Sequence, residues 1–406
     1  MKITSDELAG GTQDRYHRQT LIDWWDQGKV SRARVLLVGT GAIGNEVLKC
    51  LALMGVGRIL AYDMDTIERS NLSRGVLFRE GDEGERKVEV AARRAQELNP
   101  DVTVHGRAEN VVHRAGLGVF LWADVVVGAL DNREARVFLN AACARTRRVW
   151  VDGAIEGLSG VVRAFAPADG PCYECTMNQT DRRLLAERRS CALLARDVVE
   201  RGHVPTTVVA ASVVGGLEAM QALKILHGQP FLSGEGLHWD GLMDDVSRVR
   251  YPRREDCLGH EALGEIVPLG LGVGDATFEV LLQRAERMLG PGASLDLSRD
   301  IILGLTCPSC GAREPGHAAL GEVREKEARC PVCGTHRVVE VAGSVSRDGP
   351  VDLSRTPASL GVPAFDILTA RVGLERQEAW LFDADAGAVL GPLAGSFELG
   401  GVRGGA

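Results

Sequence analysis

Ala33–Val38 reads ARVLLV and runs directly into Gly39-Thr-Gly41-Ala-Ile-Gly44, with a helical pattern following from Asn45 to Met54. A short apolar run that closes on G-x-G-x-x-G and opens a helix predicts a strand, a tight turn and a helix whose bare N-terminal amides attract phosphate. Next, Arg58–Tyr62 (RILAY) reads as a second strand ending at Asp63, where a carboxylate reaches a ribose hydroxyl. Strand patterns recur at Val102–His105, Asp124–Gly128 and Val149–Asp152, with helical patterns between them at Lys87–Leu98 and Arg133–Ala144. This alternation predicts an α/β fold with a doubly wound, mainly parallel, Rossmann-like sheet. Gly160–Ala166 (GVVRAFA) departs from it and reads as an edge or antiparallel strand, an antiparallel extension of the sheet. Pro205–Leu226 is a long helical stretch with Pro near its first turn and Gly228 just past its end. Its small apolar residues predict burial against the sheet.

The glycine-rich stretch Gly264–Asp275 reads as a boundary between a first domain, 1–264, and a C-terminal α+β domain, 276–406. The second domain has a helical pattern at Thr277–Met288 and strands near Ile301–Leu305, Val338–Val341 and Ala379–Phe382. Its last residues, GGVRGGA, read as a frayed tail.

Composition narrows the function. The 406 residues carry 47 basic and 55 acidic side chains, a net charge of −8, which argues against nucleic-acid binding through a basic surface. Hydrophobic residues at 45% and charged residues at 25% fit a globular chain and exclude wholesale disorder. The longest apolar stretch, Val208–Leu217, has 10 residues against the roughly 20 of a spanning helix, so no membrane is expected. MKITSDELAGG has no apolar signal region, and the expected compartment is cytoplasmic.

The glycine loop and Asp63 suit a nicotinamide cofactor and an adenosine nucleotide equally. The residues that follow discriminate: Asp63-Met-Asp65-Thr-Ile-Glu-Arg-Ser-Asn71-Leu-Ser-Arg74, then Gly84-Glu-Arg-Lys87. A dehydrogenase has no evident use for this polar and basic series, whereas breaking a triphosphate needs cations on the developing charge, and Arg74 and Lys87 supply them. Asp131-Asn132 follows the strand DVVVGAL and places a carboxylate in the binding crevice, suited to Mg2+. Taken singly, Asp131 also suits the N-cap of the next helix. Arg74 and Lys87 also read as solvated charges, and Arg18 as the partner of nearby acids.

In order, RYHRQ (Arg15–Gln19), GTGAIG, DMDTIxxSNLxR, GxxK, Asp131-Asn132, PCYEC and the PTT-led helix from Pro205 resemble the ubiquitin-like-protein activating enzymes and the ThiF-type adenylyltransferases of thiamine and molybdopterin biosynthesis. The resemblance spans roughly Arg15 to His260. It implies that domain 1–264 is an adenylation domain, with Gly39, Gly41, Gly44, Asp63 and Asp65 around ATP and Asp63 on its ribose. It also implies Asn71, Arg74 and Lys87 at the phosphates, Asp131 on magnesium, and Arg18 reaching the site of a neighbouring subunit in a homodimer. One departure stands out: the family's Arg-Gln is Arg74-Gly75 here.

Ten cysteines include three CxxC pairs, a pattern of metal binding in a reducing compartment. Cys172/Cys175 and the CxxH of Cys257/His260, 81 residues apart, make a structural zinc set with His260 as its single imidazole. Cys307/Cys310 and Cys330/Cys333, each followed by Gly and 19 residues apart, make a zinc ribbon, so two Zn2+ are expected. A redox CxxC is the rival reading. His317 and His336 read as solvated, and Cys50 and Cys143 as small buried hydrophobes. Cys191 follows Arg182, Arg183, Arg188 and Arg189, whose guanidinium groups would lower its pKa, and it reads as a functional thiol. In the resembling enzymes a cysteine in this crossover segment takes up the activated carboxyl group as a thioester or forms a related sulfur linkage.

The expected activity is ATP-dependent adenylation of the C-terminal carboxylate of a ubiquitin-like protein ending in Gly. Thioester capture on Cys191 and transfer to a conjugating carrier enzyme follow, with the C-terminal domain as a docking surface. The alternatives are a sulfur-carrier-protein adenylyltransferase, a nicotinamide-dependent oxidoreductase and a non-catalytic scaffold.

Overall fold

The computed structural model describes residues 14–167, 170–183, 205–316, 327–373 and 375–397. Five parallel strands form the first part of the large sheet: β1 (Arg34–Val38), β2 (Arg58–Tyr62), β3 (Thr103–Arg107), β4 (Val125–Gly128) and β5 (Trp150–Glu156). β6 (Ser159–Phe165), β7 (Glu235–Asp240) and β8 (Asp245–Arg250) extend it antiparallel. The order β3-β2-β1-β4-β5-β6-β7-β8 reverses direction between β1 and β4, the switch point at which α/β sheets bind ligands. β6 is internal, paired on both sides, so of the two readings of GVVRAFA the antiparallel one holds and the edge one does not.

Side chains alternate across each strand and so divide between two cores. Val35, Leu37, Ile59, Ala61, Val125 and Val127 face helices α1 (Ala42–Met54), α2 (Lys87–Leu98) and α4 (Val208–His227). Leu36, Val38, Leu60, Tyr62 and Val126 face the opposite way, toward α3 (Arg133–Thr146) and the segment around Phe120 and Trp122. By length and composition α4 would pass for a membrane span, but half of it is buried. Its buried Gly215 lies against Glu46 of α1. Val209 and Met220, by contrast, stay exposed, so burial against the sheet describes only one side of this helix.

The C-terminal residues build a second sheet of β9 (Ile266–Pro268), β10 (Ser294–Thr306), β11 (Arg313–Pro315), β12 (Val338–Val345), β13 (Ile367–Val372) and β14 (Arg376–Leu381), with α5 (Phe278–Leu289) packed on it. β9 lies inside the stretch 264–275 and pairs in parallel with β14. This second unit also completes the second core of the large sheet: Phe365, Ile367, Leu381, Leu390 and Leu393 pack with Leu36, Leu60 and Val126. Polar ties accompany the contact. Asp366 Oδ1 accepts from Leu117 N at 2.8 Å, Phe365 O accepts from Gly118 N at 2.9 Å, and Arg299 donates to the carbonyls of Val112 and Ala115 at 2.7 and 2.6 Å.

Candidate active site: a nucleotide crevice and two metal clusters

The crevice begins where β1 ends. Gly39 has φ +93°, and a side chain there would strike Ala129 O at 2.2 Å. A Cβ on Gly44 would meet Gly39 O at 2.0 Å, so this glycine lets α1 start directly under the turn. Gly41 is different: nothing lies within 4 Å of the Cβ position, and the space over the helix N-terminus is open for an anion.

Asp63 ties this loop to β2. Its Oδ2 accepts from Thr40 N at 2.7 Å and Thr40 Oγ1 at 3.0 Å, and its Oδ1 accepts from Asp65 N at 2.9 Å. Burial pushes its carboxyl above the usual range, against the pull of those donors and of Lys87. Lys87 opens α2 with its ammonium 2.9 Å from Asp65 Oδ2. Half-buried Arg74 donates to Ser70 O at 2.7 Å, and Asn71 Oδ1 accepts from Glu68 N at 3.0 Å. Asn45, which the sequence reading missed, staples these parts. Its amide donates to Thr40 O and Gly41 O, and its Oδ1 accepts from Leu77 N at 2.8 Å.

Asp131 lies two residues past Ala129, whose backbone bonds to Val38 at the end of β1. Its carboxylate is exposed. The residue that caps α3 is Asn132, accepting from Ala135 N at 2.8 Å, so the capping alternative for Asp131 is set aside. The departure at Gly75 has a steric basis: a Cβ there would lie 2.4 Å from Phe78 Cδ2, so the Phe78 ring fills the space of any side chain at 75.

Arg18 lies elsewhere. Its neighbour Tyr16 rests on Gly55 at the C-terminal end of α1, and Tyr16 OH is bonded to Asn99 and Asp101. The glycine loop is at the other end of α1, about 20 Å away for 13 residues of helix. Arg18 is exposed, and no ion pair is found for it among the described residues. The structure does not bring it to this chain's own crevice. Cys191 and His317 lie outside the described residues.

The two metal sets assemble as spaced. Cys172, Cys175, Cys257 and His260 offer ligand atoms within 4.8 Å of one another, as do Cys307, Cys310, Cys330 and Cys333. A tetrahedral zinc–thiolate centre places sulfurs about 3.8 Å apart. The separations are 3.8 Å for Cys172–Cys175, 3.6 Å for Cys172–Cys257, 3.5 Å for Cys307–Cys333 and 3.6 Å for Cys310–Cys330, with Cys175 3.3 Å from His260 Nε2. The donor sets therefore fit zinc. The ribbon turns repeat each other: Gly311 N donates to Cys307 O and Gly334 N to Cys330 O, each at 2.9 Å. His336 is exposed and outside the cluster. Cys143 is buried and Cys50 partly so, and burial raises both thiol pKa values.

A Rossmann-like crevice with a phosphate turn, flanking cations and a metal-ready cysteine hook defines a nucleotide-dependent α/β enzyme. The sequence profile of the ThiF family matches residues 16–259, and the chain belongs to that family. It is 33% identical over 254 residues to the SAMP-activating enzyme E1 of Haloferax volcanii, covering 60% of this chain and 87% of the relative. It is 35% identical over 273 residues to the sulfur carrier protein adenylyltransferase of Thermus thermophilus, covering 63% and 92%. The molybdopterin-synthase adenylyltransferase of Escherichia coli is 31% identical over 258 residues, covering 62% and 97%. The structure of E. coli MccB with ATP shares the fold at TM-score 0.53 and 23% identity, covering 64% of this chain and 77% of that one. The chain is an ATP-dependent enzyme of the adenylyltransferase class.

Proposed function

We propose that this enzyme adenylates the C-terminal carboxylate of a small ubiquitin-like protein. The observation that carries the reading is the crevice itself, where the loops after β1, β2 and β4 bring an open phosphate turn, Lys87 and an uncapped Asp131 to one end of the sheet. A carboxylate oxygen bonds to the α-phosphorus of ATP, the α–β bridging bond breaks, and pyrophosphate leaves. A carboxylate is already ionised near neutral pH, so no general base is needed. Positioning and charge stabilisation by Arg74 and Lys87 carry the step. Magnesium, held by Asp131, would neutralise phosphate charge. Zinc would fix both cysteine-rich sets as structural centres, since four protein ligands leave no open position.

Arg18 would join the site only from a second copy of the chain, and its distance from its own crevice supports the homodimer that the resemblance implies. Ile22 and Trp24, which follow Arg18 in the chain, and Leu53 and Leu98, at the C-terminal ends of α1 and α2, are exposed apolar residues suited to such a contact. In the full reading, Cys191 then attacks the acyl carbon, AMP leaves, and the thioester passes to a carrier enzyme. The CxxC usage supports a cytosolic setting for this activity. Sulfur-carrier adenylation is the second reading, favoured by the match over 92% of the Thermus relative. ATP–pyrophosphate exchange with small proteins ending in Gly tests the first step, and its absence with every such protein overturns the reading. A thioester on Cys191 against a thiocarboxylate product separates the two readings.

A further inference from the structure

Behind Asp131 lies a charged cluster that the reaction as described does not use. Arg136 of α3 is buried, and its Nε and Nη2 donors are engaged. Nε donates to Asp152 Oδ1 at 2.7 Å, and Nη2 donates to Leu130 O at 2.6 Å and Gly153 O at 2.9 Å. Asp152 is wholly buried in β5, and its other oxygen accepts from Arg163. Arg163 in turn reaches Thr176 Oγ1 at 3.4 Å and lies over the Tyr173 ring at 5.2 Å, inside the first cysteine hook. One turn along α3, Asn140 Oδ1 accepts from Tyr173 N at 2.8 Å, and its amide reaches Gly259 O at 3.4 Å.

Buried ion pairs are weak contributors to stability, because apolar residues of equal volume often do as well. What the guanidinium supplies and an apolar side chain cannot is a rigid fork with several donors in fixed directions. Two of those donors end on backbone carbonyls, and one of these, Leu130 O, belongs to the peptide leading into Asp131. On the other side Asn132 is fixed by its cap and also donates to Asp131 Oδ1 at 3.1 Å. The direction in which Asp131 leaves the sheet is therefore set from both flanks.

We propose that Arg136 is a positioning residue for Asp131: it holds the Leu130 carbonyl against a buried Asp152–Arg163 frame anchored on the first metal cluster, and so aims the carboxylate at a nucleotide-bound divalent cation. This rests on the reading of the crevice as an ATP site. Arg136 and Arg163 both pair with Asp152, and burial pushes the neighbouring Glu218 carboxyl well up.

The test is Mn2+ binding to the full-length protein with ATP, read by electron paramagnetic resonance, alongside ATP affinity in EDTA and zinc content. Arg136→Gln is expected to weaken Mn2+ by about tenfold, the scale seen when the outer partners of a metal-binding carboxylate are removed. ATP affinity in EDTA and zinc content stay at wild-type values, and Arg136→Lys recovers part of the loss. Asp152→Asn, which keeps the side-chain volume, shifts Mn2+ affinity in the same direction and serves as the reading if Arg136→Gln fails to fold. ATP-dependent Mn2+ binding that is present in wild type, lost in Asp131→Asn and unchanged in the folded Arg136 and Asp152 variants overturns the proposal alone. Absence of that binding in the wild type overturns the nucleotide reading together with it.

Discussion

The two metal clusters use nearly the same ligands in opposite ways. The first joins residues from two distant parts of the chain. Cys172 and Cys175 are buried, Arg254 N donates to Cys175 Sγ at 3.4 Å, and Asn140 of α3 grips Tyr173 between the two cysteines. The second is local: two matching turns at the ends of β10 and β12, with Cys310 and Cys333 exposed. A centre wired into the principal sheet should matter to nucleotide chemistry. A centre closed on its own hairpin should matter mainly to that hairpin.

The largest expected effect comes from removing the ribbon's whole surroundings. Cutting the chain after Gly264 strips Phe365, Ile367, Leu381, Leu390 and Leu393 from the second core. At about 1.5–3 kcal/mol per buried side chain the loss is on the order of 10 kcal/mol, comparable to the whole stability of a domain. The truncated protein should be insoluble, and a soluble, ATP-binding 1–264 fragment would break the view of a shared core. Next, Cys172→Ser should reduce metal content from two equivalents to one, lower the thermal midpoint by about 10 °C and abolish pyrophosphate exchange, read by metal analysis, calorimetry and isotope exchange. Cys310→Ser should also remove one equivalent, yet leave exchange within about twofold of wild type and shift the midpoint far less. Equal damage from both serine variants would erase the contrast between the clusters.

The smallest effect concerns Glu218, whose two oxygens have no hydrogen-bond partner among the described residues, beside the Arg136–Asp152 pair. Its folded pKa lies above the unfolded one because of burial. The stability it permits is therefore complete at acid pH and declines as pH rises above the unfolded carboxyl value, where the unfolded chain releases the proton first. Glu218→Gln should accordingly gain on wild type between about pH 5 and pH 8 in urea melts. An advantage that shrinks with rising pH would contradict the raised carboxyl pKa.

Much of this was legible in the chain and some was not. β1, the glycine turn and both cysteine sets were readable because their signals are local: an apolar run, fixed glycine offsets and chelate spacing. β8 carried no such signal, since all six of its residues are exposed and no apolar alternation marks an inward face. β13 (ILTARV) was missed beside its partner β14, and its pairing with β10 lies some 70 positions away in the chain. The choice of Asn132 over Asp131 as cap could not be read from the adjacent letters, as both residue types cap well. Arg136 and Asp152 show what the sequence did offer: a charged residue at the end of an apolar strand, VWVDGA, whose partner only the packing of α3 reveals.

The proposed loan of Arg18 from a second copy, which follows from Tyr16 lying on the far end of α1, carries a rule for behaviour on dilution. A site that borrows Arg18 from another molecule has a rate tied to the concentration of pairs. Once the pairs come apart, halving the protein quarters the turnover in the tube. Two crippled chains, one lacking Arg18 and the other lacking Lys87, would then rescue each other on mixing, because half of the crevices in each mixed pair are whole.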